Sequence, residues 1–291
     1  MRAEEAYSGN VFIAAKPELE EARAVIYGMP MDWTASFRPG SRFGPRRIRE
    51  VSLVLEEYSP HLRRELAEVP FYDAGDIPLP FGNPERSLEE IGRFVAEVLK
   101  RNKMPIGLGG EHLVTWPAVR EVYKHYPDLA VIHMDAHADL RTEYEGETLS
   151  HATPLRKIAE LIGPENVIQL GIRSGTREEF EYAASSGIRF HPFEVLKPLM
   201  EELPALADRP VYVTVDIDVL DPAFAPGTGT PEPAGITSRE LMESIHAIAR
   251  SGVKVVGADL VEVAPAYDPT DQTAVVAAKM VREMLLGFVP A

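Results

Sequence analysis

The chain has 291 residues, with 45 acidic against 30 basic side chains and a formal charge of −15 at pH 7. That balance argues against nucleic acid or an anionic membrane as partner and is compatible with a cationic small molecule. With no cysteine, disulfides, thiolate chemistry and Cys-ligated zinc or iron–sulfur centres are excluded, so any metal must be held by oxygen and imidazole groups.

The start, Met1-Arg2-Ala3-Glu4-Glu5, lacks the basic opening and apolar stretch of a signal peptide, and no run of eighteen apolar residues occurs. A cytoplasmic location is therefore expected. Along the chain, β-branched and apolar runs predict strands at 24–27, 69–73, 106–109, 130–135, 167–172, 211–216 and 255–259, with a weaker one near 188–190. Several are apolar throughout, as strands covered on both faces should be.

Helices are expected between them. Ser87-Leu88-Glu89-Glu90 reads as a capping box, followed by Leu88, Ile91, Val95 and Val98 on one helical face. Thr176 with Glu179 and Thr237 with Glu240 repeat the arrangement, the latter opening a helix that stops at Ser251-Gly252. Helical patterns also fit 113–126, 154–162 and 272–286. Strand–helix alternation with right-handed crossovers predicts one α/β domain over 1–291, a parallel sheet between helical layers. A closed (β/α)8 barrel is the alternative. Of three Pro/Gly-rich segments, 37–45, 76–84 and 221–235, the first and last are expected to wall a site beyond the carboxyl ends of the strands.

Two acidic clusters end apolar runs: Asp135, His137 and Asp139 after 130–134, and Asp216 with Asp218 after 211–215. Gly109-Gly110-Glu111-His112 ends another. On an extended strand, residues spaced two apart would make a polar stripe inside the core. The backbone is therefore expected to curl after Asp135, through the small Ala136 and Ala138. Turn or surface acids are the bland reading, but so many carboxylates and imidazoles packed together would otherwise repel or go unpaired. Oxygen-rich ligation with imidazole and no sulfur suits Mn2+, Mg2+ or Fe2+. The ligands are too many for a single ion that keeps a reactive water, and they suit two ions bridged by carboxylates around an activated water.

With these residues assembled, the chain resembles the ureohydrolase family of arginases and agmatinases over nearly its whole length. The motifs that carry the resemblance begin with Gly107-Leu108-Gly109-Gly110-Glu111-His112, Met134-Asp135-Ala136-His137-Ala138-Asp139 and Ser150-His151. Asp216-Ile217-Asp218-Val219-Leu220-Asp221-Pro222 and Gly257-Ala258-Asp259-Leu260-Val261-Glu262-Val263 complete them. Within the family it looks most like bacterial agmatinase, through Arg38-Pro39-Gly40-Ser41-Arg42-Phe43-Gly44-Pro45 and Ala225-Pro226-Gly227-Thr228-Gly229-Thr230-Pro231.

The resemblance implies a three-layer α/β/α arginase-like fold with an eight-stranded parallel sheet, two Mn2+ per subunit and a homo-oligomer, trimer or hexamer. It implies that His112 and Asp139 hold one manganese, His137 and Asp218 the other, and that Asp135 and Asp216 contact both. Glu262 would pair with the substrate guanidinium and His151 would move protons. The implied reaction is hydrolysis of agmatine to putrescine and urea by a metal-bridging hydroxide, in polyamine biosynthesis, with Asp139 also passing a proton to the leaving amine. N1-aminopropylagmatine, guanidinobutyrate and arginine are the alternative substrates.

The segment 140–149 lacks the Ser-Gly-Asn pattern with which arginases hold a carboxylate. Its acids favour an amine tail, and Arg141 cuts the other way unless it faces solvent or pairs with a glutamate. Ala138 and Ala152 stand where the family often has Thr and Gly, which touches rate and substrate fit but removes no ligand. Other residues have two readings each. His133 is an outer partner of the metal site or a core histidine, and Glu111, Asp221 and Asp259 orient ligands or cap turns. Arg173-Ser174-Gly175 is a wall of the site or a helix-leading turn. Trp33, Phe37 and Phe43 cover the substrate's methylenes or pack beneath the loop. Arg46-Arg47-Ile48-Arg49 is too short for nucleic acid and suggests intersubunit ion pairs. His61, His125, His191 and His246 are expected to be surface or packing residues. A single-zinc amine deacetylase and a silent metal-binding protein are the rival classes.

Overall fold

The computed structural model describes residues 11–290; the first ten residues, which include the 1–5 segment read above for a signal peptide, lie outside it, as does Ala291. Eight parallel strands form one sheet. They are β1 (Ala24–Met29), β2 (Phe71–Asp76), β3 (Met104–Gly109), β4 (Ala130–Met134), β5 (Val167–Ile172), β6 (Arg189–Pro192), β7 (Pro210–Asp216) and β8 (Lys254–Val261). Their order across the sheet is β2-β1-β3-β8-β7-β4-β5-β6. Because β2 and β6 lie at opposite ends of the order and do not pair with each other, the sheet is open, and the closed-barrel alternative is overturned.

Helices cover both faces. On one lie α1 (Gly44–Ser52), α6 (Leu196–Glu202), α7 (Ser238–Arg250) and α8 (Gln272–Phe288), and on the other α2 (Pro84–Lys100), α3 (Thr115–His125), α4 (Pro154–Ile162) and α5 (Arg177–Ser186). Strand alternation builds the two cores. Ala130, Ile132 and Met134 of β4 and Val211, Val213 and Val215 of β7 face the first layer. Val131 and Tyr212 face the second. This is the three-layer arginase-like fold.

Several boundaries move for physical reasons. The strand expected at 69–73 begins at Phe71, because Pro70 has no amide hydrogen to place in a ladder, and it runs on to Asp76 at the sheet edge. The Ser87 capping box is corrected: α2 starts at Pro84, capped by the Asn83 side chain accepting from the Arg86 amide. Ser87 is inside the helix, its hydroxyl donating to the Asn83 carbonyl at 2.7 Å. Thr176 and Glu179 do form the reciprocal box at α5, and α7 stops at Ser251 before Gly252, whose φ is 80°. The 46–49 arginines pair within the chain: Arg46 and Arg47 with Glu50, Arg47 also with Asp271, and buried Arg49 with Asp73 and Asp76. No helix among the described residues is long and apolar enough to cross a membrane.

Candidate metal centre and active-site cavity

Sheet register brings the acidic clusters together. Met134 of β4 pairs with Val215 of β7, so Asp135 and Asp216 are one step further along neighbouring strands. Val261 of β8 pairs with Asp216, which puts Glu262 beside the pair. Leu108 of β3 pairs with Leu260, and the chain beyond β3 delivers His112 in a single 3-10 turn. Four adjacent carboxyl ends thus supply one site. Gly110 makes the approach possible, since a Cβ there would lie 2.4 Å from the Met29 carbonyl oxygen.

The turn expected after Asp135 is present. From Ala136 the backbone runs beside the loop that follows β5, with the Arg173 and Ser174 amides donating to the Ala136 oxygen and the Ala138 amide to the Ser174 oxygen. Asp139 and Glu262 both sit in the left-handed region, at φ 53° and 64°, a conformation non-glycine residues adopt rarely and mostly under local constraint.

Six side chains converge. His112 Nδ1 lies 2.9, 3.3 and 3.2 Å from Oδ2 of Asp135, Asp139 and Asp216. It is nevertheless a buried nitrogen without a hydrogen-bond partner, because none of the three oxygens is aligned with it. A cation at their centre would satisfy all four atoms, and the donor set fits one. His137 Nδ1 forms a second focus, 3.0 Å from Asp218 Oδ2 and 3.6 Å from Asp135 Oδ1. Asp135 belongs to both, and the trio Asp135, His137 and Asp218 can grip a metal ion.

His133 with His112 and Asp135 also satisfies ligand spacing. Both of its ring nitrogens are engaged elsewhere. Nδ1 accepts from Gln169 Nε2 at 3.0 Å, which leaves Nε2–H to donate to Asp135 Oδ2 at 2.8 Å. It holds the Asp135 carboxylate in place rather than offering a free ring nitrogen of its own. Thr214 does the same for His112, 3.0 Å from Nε2, and the Asp259 carboxylate lies among Thr214, Thr115 and Tyr212. Asp221, by contrast, accepts the amides of Ala223, Ala234 and Gly235, which is the turn-capping reading. Glu111 accepts from the Thr34 amide at 2.9 Å.

The electrostatics of this cluster are those of a cation-binding site. Burial pushes the Asp139 carboxyl up to about 7. Burial, reinforced by Glu111, pushes Glu262 up to about 8. Asp216 is raised well above the carboxylate range by burial and then by Asp218 and Asp135. Burial works against charge on His112 and His137, yet the surrounding carboxylates hold both well above the ordinary imidazole range. Divalent cations reverse this cost by neutralising the acids in place.

Above the cluster opens a cavity of about 260 Å3, reached by His112, His137, Asp139, Asp216, Glu262 and His151. Glu262 Oε1 accepts from the His112 amide at 2.9 Å, and Oε2 has no hydrogen-bond partner among the described residues. His151 Nδ1 donates to the Thr34 carbonyl at 2.8 Å while the Thr34 hydroxyl accepts from the His151 amide at 2.9 Å. That fixes Nε2 as the ring's free base, 3.3 Å from Ser36 Oγ.

Ser174 and Gly175 line the cavity, in keeping with the wall reading. Arg141 lines it too, its Nε 3.5 Å from Glu179 and its guanidinium 4.7 Å from the Tyr144 ring centre. Trp33, Phe37 and Phe43 do not line it; Trp33 packs on Phe81, and Phe37 and Phe43 are 66 and 53 % exposed. Residues that sequence reasoning passed over include Thr34, Ser36, Gln169 and Thr214. Gln169 and Thr214 left a signal, each a lone polar residue in an apolar strand; Thr34 and Ser36 left none.

The chain belongs to the arginase family, whose family model matches residues 22–287, from just before β1 to the last turn of α8. It is 67 % identical over 289 residues to an agmatinase of Bacillus subtilis (strain 168), covering 99 % of this chain and 100 % of that relative. An agmatinase of Bacillus cereus is similar to the same extent, 67 % over 289 residues with 99 and 100 % coverage. The solved agmatine ureohydrolase of Thermoplasma volcanium matches with a TM-score of 0.87 at 33 % identity, covering 97 % of this chain and 94 % of that one.

Proposed function

We propose that this protein is a manganese-dependent agmatinase that hydrolyses agmatine to urea and putrescine. The observation that carries the reading is the unaligned His112 Nδ1 facing three carboxylates beside the His137–Asp218 pair, beneath a cavity that Glu262 enters. Full-length similarity to proteins named agmatinase supports the substrate.

His112, Asp139, Asp135 and Asp216 would hold one Mn2+, and His137, Asp218, Asp135 and Asp216 the other. When bound, the pair supplies a water acidic enough to act as nucleophile at neutral pH and positive charge to stabilise the tetrahedral carbon's oxygen. The rest falls to the chain's own groups. Glu262 offers Oε2 to the guanidinium N–H groups and orients the trigonal carbon by charge-assisted hydrogen bonds. Asp139 accepts the proton of the attacking water and passes it to the leaving nitrogen, so that urea and a primary amine depart. His151 Nε2 takes the remaining proton from the cavity toward solvent.

The tail is a matter of the cavity wall. Arg141 is the feature that favours a guanidino acid, and Glu179 with Tyr144 offsets its charge. An amine-tailed substrate also accords with the chain's net charge of −15. A cytoplasmic homo-oligomer, trimer or hexamer, belongs to the same proposal. Purified Mn2+-loaded protein assayed for urea against agmatine, aminopropyl-agmatine, arginine and guanidinobutyrate should prefer agmatine. Urea from arginine alone would refute the assignment.

A further inference from the structure

We infer that Arg173 is a positioning residue for the ion held by His137 and Asp218, because it ties together the two backbone segments that carry those ligands. The inference rests on the two-ion reading above. Arg173 follows β5, and its main-chain amide donates to the Ala136 carbonyl at 2.8 Å, between Asp135 and His137. Its guanidinium reaches the other segment. Nη2 donates to the carbonyls of Asp218 at 2.7 Å and Glu232 at 2.8 Å, Nε to Pro233 at 3.0 Å, and Nη1 to Val219 at 3.3 Å. Longer contacts at 3.4 Å reach Leu220 and Gly171.

All six acceptors are main-chain carbonyls, so the side chain holds loop shape rather than pairing with an acid. The same fork fastens the segment that brings Thr230 to within 3.4 Å of Asp218 Oδ2. The two ligand segments meet directly as well, the Ala136 amide donating to Asp218 Oδ1 at 3.1 Å. A planar guanidinium can serve such a spread of acceptors at once, whereas a lysine ammonium is one point on a flexible stem. Room for it is built in: a Cβ on Gly235 would lie 2.7 Å from Nη2. Arg173 touches neither the cavity nor a ligand side chain, and acts through the Asp218 and Ala136 backbone.

The test is calorimetric titration of metal-free wild type, Arg173→Lys and Arg173→Met with Mn2+, alongside thermal unfolding of each metal-free protein. Wild type should take two ions. Arg173→Lys should weaken one of them about 10-fold or more, the range seen when a residue supporting a metal ligand is lost, and leave the other unchanged. If wild type takes two ions and Arg173→Lys binds both as wild type does, the inference is overturned. It is equally overturned if both affinities fall in parallel with the unfolding temperature, the mark of a merely structural staple. Should Arg173→Met fail to fold, the lysine variant decides alone. A wild type that takes only one ion would instead refute the two-ion reading.

Discussion

Asp216 is marked out twice, once by its place in the chain and once by its place in the sheet. An aspartate ending the run Val211–Val215 has no place in an apolar core unless something uses it, and register then sets it beside Asp135 and within 3.2 Å of His112. Asp216→Asn should therefore cost more than the about 10–100-fold typical of residues one contact further out, and should lower Mn2+ content measured by metal analysis. A fully active, fully loaded variant would remove the bridging role. His151 is held by Thr34 with Nε2 left as the unprotonated ring nitrogen, beside Ser36 Oγ. His151→Ala should lower kcat by about 10^2- to 10^4-fold with KM for agmatine little changed; an unchanged kcat would end its assignment to proton movement. The clustered acids and histidines were legible because charge at the end of an apolar run is chemically conspicuous. Their supports were not. Gln169 fixing His133 and Thr34 fixing His151 depend on neighbours 36 and 117 residues away, and no local pattern announces them.

At the scale of elements, end signals were readable where one side chain does the work. Thr176 and Glu179 exchange hydrogen bonds at the start of α5 as their spacing predicts. Thr176→Ala should cost about 1 kcal/mol of stability in chemical denaturation. Because the Thr176 hydroxyl is hydrogen-bonded to the Glu179 amide and to none of the six clustered side chains, Mn2+ affinity should stay as it was; a large loss would mean that α5 positions the site through Glu179, which also accepts from the Leu140 amide. The α2 start was misplaced because Ser87 mimics a cap in sequence while Pro84, an ideal first helical residue, follows the true cap Asn83. Ser87 instead bonds back to the preceding turn, as serines inside helices often do.

For the whole molecule, alternation revealed the layers, but not that β8 inserts between β3 and β7. That insertion is what places Glu262 beside Asp216, and it comes from packing between distant segments. Assembling so many buried acids has a thermodynamic signature in the metal-free protein. With Asp139 raised to about 7 and Glu262 to about 8, the folded chain keeps protons that the unfolded chain has released above the usual carboxylate range. His112 and His137, raised by the acids, act in the same sense: their stabilisation is present below the ordinary imidazole pKa and lost as pH rises. Metal-free protein should thus melt at lower temperature near about pH 8 than near about pH 5.5, and Mn2+ added at the higher pH should restore it. A melting temperature that climbs across that window without metal would contradict these electrostatics.

The most direct measurement is anomalous diffraction at the manganese edge from crystals grown with Mn2+. Two peaks are expected per chain, one among His112, Asp139, Asp135 and Asp216, the other beside His137 and Asp218. One solitary peak, with its neighbouring carboxylates turned away and no space for a companion, would leave the water without its activating pair and contradict the proposed hydrolysis.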